Sequence, residues 1–170
     1  MAAPLSADPV VRLADPRTEP ALAAFTCGGS TEYEREVDRI VVGYHSQSAA
    51  PFQMFTMAET RSTPPELIAC CASFSRPLPP VTPGAIYLAV IGISGAFRGR
   101  RLADRSRVGD LMLGDMLERV EASWTIMPWV SAFIHPANTP SRELFERHNF
   151  TELPSRGYAL YLRPEGLAVQ

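Results

Sequence analysis

The sequence predicts an α/β fold, more narrowly α+β: one domain whose mixed, mostly antiparallel central sheet is flanked by helices. Apolar runs of strand length, Phe52 to Ala58, Leu67 to Phe74 and Ile86 to Ile93, follow one another with turn residues between them, the arrangement of antiparallel neighbours. A strand, a loop, a helix and a second strand then succeed each other between Ile86 and Ile134, which makes the sheet mixed. A length of 170 residues, 46% of them apolar, is enough for one hydrophobic core and leaves little room for another, so residues 1–170 are read as one domain.

Each element has a local reason. Val10 to Ala14 is a short strand, and Asp15-Pro16 supplies an N-cap and a first-turn proline for a helix that stops near Gly28-Gly29. Thr31 and Glu34 form a capping box at the head of a second helix, where Tyr33, Val37, Ile40, Val41 and Tyr44 recur as one apolar stripe. The strands Phe52 to Ala58 and Leu67 to Phe74 are joined by Ser62-Thr63-Pro64-Pro65. The prolines between Pro77 and Gly84 cannot sit in a central strand and predict a long hairpin loop. Ile86 to Ile93 does not alternate, so both of its faces are buried and it belongs at the centre of the sheet. A helix from about Gly109 to Ser123, a strand from Trp129 to Ile134, a short helix from Pro140 to His148 capped by Thr139, and a closing strand from Tyr158 to Leu162 complete the chain.

Composition narrows the function classes. With 20% charged residues and nearly half apolar ones the chain is neither disordered nor fibrous. No apolar run reaches the roughly 18 residues of a membrane span, and the first residues lack the basic and apolar regions of a secretory signal, so a cytoplasmic protein is expected. A net charge of −2 gives no global attraction to nucleic acid or membrane. Cys27, Cys70 and Cys71 are expected to be reduced, the adjacent pair pointing to opposite faces of a strand. These cysteines and His45, His135 and His148 show no metal-ligand spacing, and no metal is expected. All 16 basic residues are arginine, a bias that a high-GC genome explains. The cluster Arg98, Arg100, Arg101, Arg105 and Arg107 is too dense for that explanation and calls for a local one.

Two segments carry the chemistry. The strand ending at Ile91-Gly92-Ile93 feeds Phe97-Arg98-Gly99-Arg100 and then Val108-Gly109-Asp110-Leu111, which opens a helix; such a helix start offers unpaired N–H groups to an anion. The second segment runs from Asn138 to Phe150. It matches the pattern N-x-x-A/S-x-x-L-Y/F-x-K/R-x-G-F at Asn138, Ser141, Leu144, Phe145, Arg147 and Phe150. Together the two segments resemble the GCN5-related N-acetyltransferase (GNAT) family, by motif over residues 86 to 150 and elsewhere by the order of elements.

The resemblance implies a GNAT-like sheet in which a splayed strand pair forms an acyl-CoA cleft. It implies acetyl-CoA as cofactor and acetyl transfer to a primary amine by direct attack in a ternary complex. Backbone groups of Ile91, Gly92 and Ile93 would pair with the pantetheine arm. Arg98, Gly99, Arg100, Arg107, Val108, Gly109 and Asp110 would receive the diphosphate, and Asn138, Ser141 and Phe145 would line the thioester channel. Two departures stand out. The diphosphate turn, compact in the family, is split here by Arg101 to Arg107, and both halves are expected to share the phosphate contact. Phe145 occupies the place of a tyrosine that often protonates the departing thiolate, and phenylalanine has no proton to give. Tyr87, His135 and Ser141 are the candidate catalytic substitutes, histidine being the side chain that exchanges protons near neutral pH.

The expected partner is a small-molecule or peptide amine; a homodimer is compatible with the reading, and no membrane partner is expected. Two alternatives remain open. One is an acyl-CoA-binding or regulatory module that has lost the chemistry. The other is the bacterial toxin branch that acetylates aminoacyl-tRNA, the only reading with a nucleic-acid partner, suggested by Phe25-Thr26-Cys27-Gly28.

Overall fold

The apolar segment that fails to alternate becomes the middle of the sheet. The computed structural model describes residue 5 and residues 7–46, 54–78, 81–123, 129–155 and 157–164. Its strands are β1 (Val10–Leu13), β2 (Met54–Glu59), β3 (Leu67–Leu78), β4 (Val81–Ile93), β5 (Trp129–Ile134), β6 (Thr151–Leu153) and β7 (Ala159–Pro164). They form one sheet in the order β1-β2-β3-β4-β5-β7-β6, so β4 has three strands on either side. Only β4 and β5 run parallel; the other neighbours are antiparallel.

Both faces of this sheet are covered. Helix α1 (Glu32–Ser46) buries Val41 and Tyr44 on one face, against Phe55, Met57, Cys70 and Val90. Its capping box forms as expected: the Glu34 carboxylate accepts from the Thr31 amide at 3.0 Å and the Thr31 hydroxyl at 2.5 Å. On the other face, α2 (Val108–Ser123) presents Met112, Leu113, Met116 and Val120 to Ile86, Leu88, Cys71 and Val130. Helix α3 (Thr139–Arg147) joins the same cluster through Leu144 and Phe145. Cys70 and Cys71 therefore do face opposite layers, and all three cysteines are free and buried. Burial pushes the Cys27 thiol up to about 12, which keeps it protonated and unreactive at neutral pH.

Four local expectations are corrected. The segment after Asp15 is two short 3₁₀ turns, Pro16–Thr18 and Pro20–Ala24, because Pro20 lacks the N–H that would continue the first. Pro77 and Pro83 lie within β3 and β4, which pair down to Leu78 and Val81, and the ladder absorbs Pro77 as an irregularity between Arg76 and Leu78. Asn138, not Thr139, caps α3: its Oδ1 accepts from the Ser141 amide at 3.2 Å. The short strand β6 had no clear apolar pattern, its three residues being exposed.

The arginine-rich insertion is folded rather than looping freely into solvent. Arg101 and Arg107 form a bridge, the Leu102 amide donates to Ser106 O at 3.0 Å, and Leu102 itself is buried among the α2-side residues. The Leu5 amide donates to Arg101 O at 2.9 Å, tying the N-terminal segment to the same loop. Leu102→Ala is expected to destabilise the protein by about 2–5 kcal/mol in chemical denaturation. A change below about 0.5 kcal/mol would mean that the loop is not anchored.

Candidate functional site

A β-bulge opens the sheet. In the β3–β4 ladder Ala72 pairs with Val90 and Ser73 with Leu88, leaving Ala89 as the extra residue. The bulge reverses side-chain parity along β4. Before it, Ile86 and Leu88 face the α2 side; after it, Ile91 and Ile93 face that side while Val90 and Gly92 face α1. Pairing of β4 with β5 stops next to this point, being confined to Ile86↔Val130 and Tyr87↔Ser131. The buried Ser131 hydroxyl donates to Ile86 O at 3.3 Å and latches the closed end of the wedge. Beyond it β5 stays fully paired with β7 up to Ile134, so the gap lies on the β4 side of β5 alone.

The wedge holds one cleft in two compartments. A cavity of about 510 Å³ lies between Tyr87–Ile91 and Ala132–His135, with Tyr33 and Val37 of α1 on one flank and Asn138, Ser141 and Phe145 on the other. A second, of about 410 Å³, is ringed by Arg98, Arg100, Arg101, Arg107 and Arg147 around the start of α2. Ile91 and Ser141 border both, so the two cavities adjoin.

Most of the residues singled out in the sequence converge here. Tyr87, His135, Ser141, Asn138, Phe145 and Ile91 border the first compartment. Ile93, Arg98, Gly99, Arg100, Arg107, Val108 and Gly109 border the second, so both halves of the split turn meet around one cavity. Gly92 and Asp110 border neither. A Cβ at Gly92 would stand 2.8 Å from the Phe25 ring, so the glycine is required by packing under α1. The Asp110 carboxylate accepts from Arg147 at 3.0 and 3.1 Å and lies 3.3 Å from His148 Nε2.

Several groups are oriented by their partners. Because the Asn138 Oδ1 is held by the Ser141 amide, its Nδ2 is left as a donor without a partner among the described residues. The Ala137 amide donates to His135 Nδ1 at 3.1 Å, so the neutral ring carries its proton on Nε2 and donates from there. Tyr87 packs edge-on against Phe74 at 5.1 Å and beside Phe133 at 5.9 Å, at the latched end of the cleft. Phe145 is buried against Phe150 at 4.8 Å. This contact closes a Schellman turn in which Asn149, at the glycine step of the motif, takes φ +63° and the Phe150 amide donates to Phe145 O at 3.1 Å.

Arg98 is not an isolated cation: it forms an ion pair with Glu34 of α1 and donates to Cys27 O at 3.4 Å. The Thr31 hydroxyl and amide, and then Arg98, hold the Glu34 carboxyl below the usual carboxylate range. Sequence reasoning had placed Tyr33 on a core stripe and had not marked Phe133, Tyr158, Arg101 or Arg147 as site residues. The local signals for any of these were the match of Arg147 to the motif and the place of Arg101 in the dense arginine cluster.

Comparison with known proteins agrees with this geometry. The fold is that of the GNAT acetyltransferases. A GNAT-family acetyltransferase from Streptococcus pneumoniae superposes with a TM-score of 0.60 at 14% identity, covering 94% of this chain and 100% of that one. A mutant AtaT toxin bound to acetyl-CoA and the C-terminus of the antitoxin AtaR gives 0.67 at 10% identity, covering 92% and 93%. A further bacterial toxin gives 0.64 at 20% identity, covering 92% and 91%. No protein-family model and no curated protein matches the sequence.

A depressed carboxyl stabilises the folded state above its unfolded pKa, and that contribution is lost as the pH falls through the folded value. Wild type is therefore expected to be more stable than Glu34→Gln at about pH 7. The gap should close on acidification below the ordinary glutamate range of about 4.3, as measured by denaturation midpoints. A gap independent of pH would remove the charge from this account.

Proposed function

We propose that the chain is an acetyl-CoA-dependent acetyltransferase acting on a primary amine in a ternary complex. The observation that carries the reading is the β4–β5 gap, whose one end is ringed by arginines and whose other end is not. The residues fit the cofactor: a strand edge freed from its neighbour suits an extended amide-bearing arm, and clustered guanidinium groups at a helix start suit a diphosphate. When bound, acetyl-CoA would supply an activated acyl group. Likeness to a GNAT acetyltransferase and to a toxin bound to acetyl-CoA supports this choice.

The chain's own groups have separable tasks under this reading. Backbone groups of β4 from Leu88 to Ile93 orient the arm and aim the thioester at the first compartment. Arg98, Arg100, Arg107 and the amides from Val108 to Asp110 hold the phosphates, and the Asn138 Nδ2 donates to an amide carbonyl of the arm. The Nε2–H of His135 and the Ser141 hydroxyl are candidate hydrogen-bond donors to the reacting groups in the first compartment, while Tyr87 forms part of its wall. Holding both reactants in one cleft supplies most of the rate, since positioning alone is worth about 7–11 kcal/mol in well-oriented systems. Phe145 lowers the rate without forbidding the reaction, because a thiol of ordinary acidity leaves without full protonation.

A second reading, an acyl-CoA-binding module without transfer, is favoured by Phe145. Transfer to the amino group of a charged tRNA is a variant of the first reading, favoured by the likeness to toxins. Release of free thiol from acetyl-CoA across a panel of amines and charged tRNAs separates the three.

A Cβ at Gly109 already meets Leu144 at 3.3 Å, so Gly109→Glu adds both bulk and an anion beside the arginines. It is expected to abolish CoA binding in calorimetry, and Asn138→Ala to weaken it; unchanged affinity in both would refute the placement. Phe145→Tyr is expected to raise the turnover number or leave it unaltered in the thiol-release assay. A large fall would show that the phenyl ring serves packing alone.

A further inference from the structure

The two ends of the cleft differ in charge more sharply than any motif implies. Around the second compartment stand five arginines, whereas among the described residues no arginine borders the first. The single carboxylate there among the described residues, Glu36 of α1, is already paired: its oxygens accept from Arg39 at 3.0 and 2.5 Å. What the first compartment does present is rings. Tyr33 from α1, His135 at the end of β5 and Tyr158 just before β7 stand in series, with centroids 5.8 and 5.5 Å apart. Tyr87 and Phe133 stand behind them, 5.9 Å from each other. Tyr158 is 42% exposed, a large ring left facing solvent at the mouth. Three separate elements thus deliver aromatic surface to one opening, and among the described residues none delivers to it an ionic partner that is not already paired.

We propose that this compartment takes a primary amine borne by an uncharged, apolar body about the size of one aromatic ring, and discriminates against amines that carry a carboxylate, a phosphate or a second ammonium group. The proposal rests on the acetyltransferase reading above and names its acceptor class. The physical argument is desolvation. A carboxylate or phosphate entering the compartment gives up water and meets no guanidinium among the described residues, and a second ammonium meets no unpaired carboxylate among them. A ring packs against the row of Tyr33, His135 and Tyr158 with the edge-to-face contacts that aromatic pairs prefer. The same apolar surroundings favour the uncharged form of the amine, which is the nucleophilic one. In the transfer, the nitrogen lone pair forms the new bond to the acyl carbon and the carbon–sulfur bond breaks. The amine gives up one proton and the departing thiolate takes up one, so the exchange is proton-neutral.

The test is thiol release from acetyl-CoA by the full chain, with 2-phenylethylamine, L-phenylalaninamide, L-phenylalanine, spermidine and Phe-charged tRNA as acceptors. Calorimetric binding of acetyl-CoA is measured in parallel. L-Phenylalaninamide and L-phenylalanine share the ring and differ in the carboxylate; because that carboxylate also makes the amine more basic, kcat/KM is compared per free-base amine, and the ratio then isolates the claim. 2-Phenylethylamine and the amide are expected to exceed L-phenylalanine and spermidine at least tenfold in kcat/KM, the scale on which unsatisfied polar groups are rejected by an apolar site. Tyr158→Ala is expected to raise the KM for 2-phenylethylamine about tenfold while leaving the KM for acetyl-CoA unchanged, and Tyr158→Phe to restore it. Spermidine or L-phenylalanine within threefold of the amide, or transfer confined to the charged tRNA, would overturn the acceptor class and leave the transferase reading standing. Thiol release with none of them, while acetyl-CoA binds, would overturn both.

Discussion

The site depends on one broken ladder. A strand at the centre of a seven-stranded sheet would ordinarily be hydrogen-bonded on both edges along its whole length, and a filled sheet has no cleft. Here the extra residue Ala89 bends β4 where its pairing with β5 ends, and the Ser131 hydroxyl on Ile86 O marks the last point of closure. Backbone groups without a strand partner at this depth are costly unless something satisfies them. A ligand with amide groups of its own can do so, and that explains why the gap is useful rather than merely unstable.

Around that gap the charge is sorted. Arginines gather where α2 begins, and several are held by acids on neighbouring elements: Arg147 by Asp110, Arg98 by Glu34. These pairs keep the cluster from repelling itself and fix the direction in which the guanidinium groups point. The Arg98–Glu34 pair also joins the arginine-ringed end to the first turn of α1, whose Tyr33 and Glu36 border the aromatic end. The two compartments therefore share a structural link besides the cleft itself.

How much of this was legible in the sequence depended on range. Glu34 and Thr31 are three residues apart, and their capping box could be read and is present. The Asn138-to-Phe150 pattern could be read, although Thr139 was taken for the cap that Asn138 provides; the two differ by one step, and both residue types cap helices. The bulge at Ala89 could not be read. It flips parity between Leu88 and Val90, but both faces of β4 are apolar, so the flip leaves no trace in the pattern of residue types. The 3₁₀ turns after Asp15 were mistaken for a helix because a good N-cap announces a start and says little about length.

What the sequence determined by itself is the kind and order of the elements apart from the 3₁₀ turns after Asp15 and the edge strand β6, the central place of the segment ending at Ile93, and the two motifs that flank the cleft. These rest on contacts along the chain, where periodicity and capping act over a few residues. Only the tertiary structure decided that the halves of the split turn surround one cavity and that Tyr33, His135 and Tyr158 stand in one row. Tyr33 precedes His135 by about a hundred positions and His135 precedes Tyr158 by 23, and what brings the three together is the packing of α1 and the β7 hairpin against the sheet, a long-range constraint that no local pattern of residue types records.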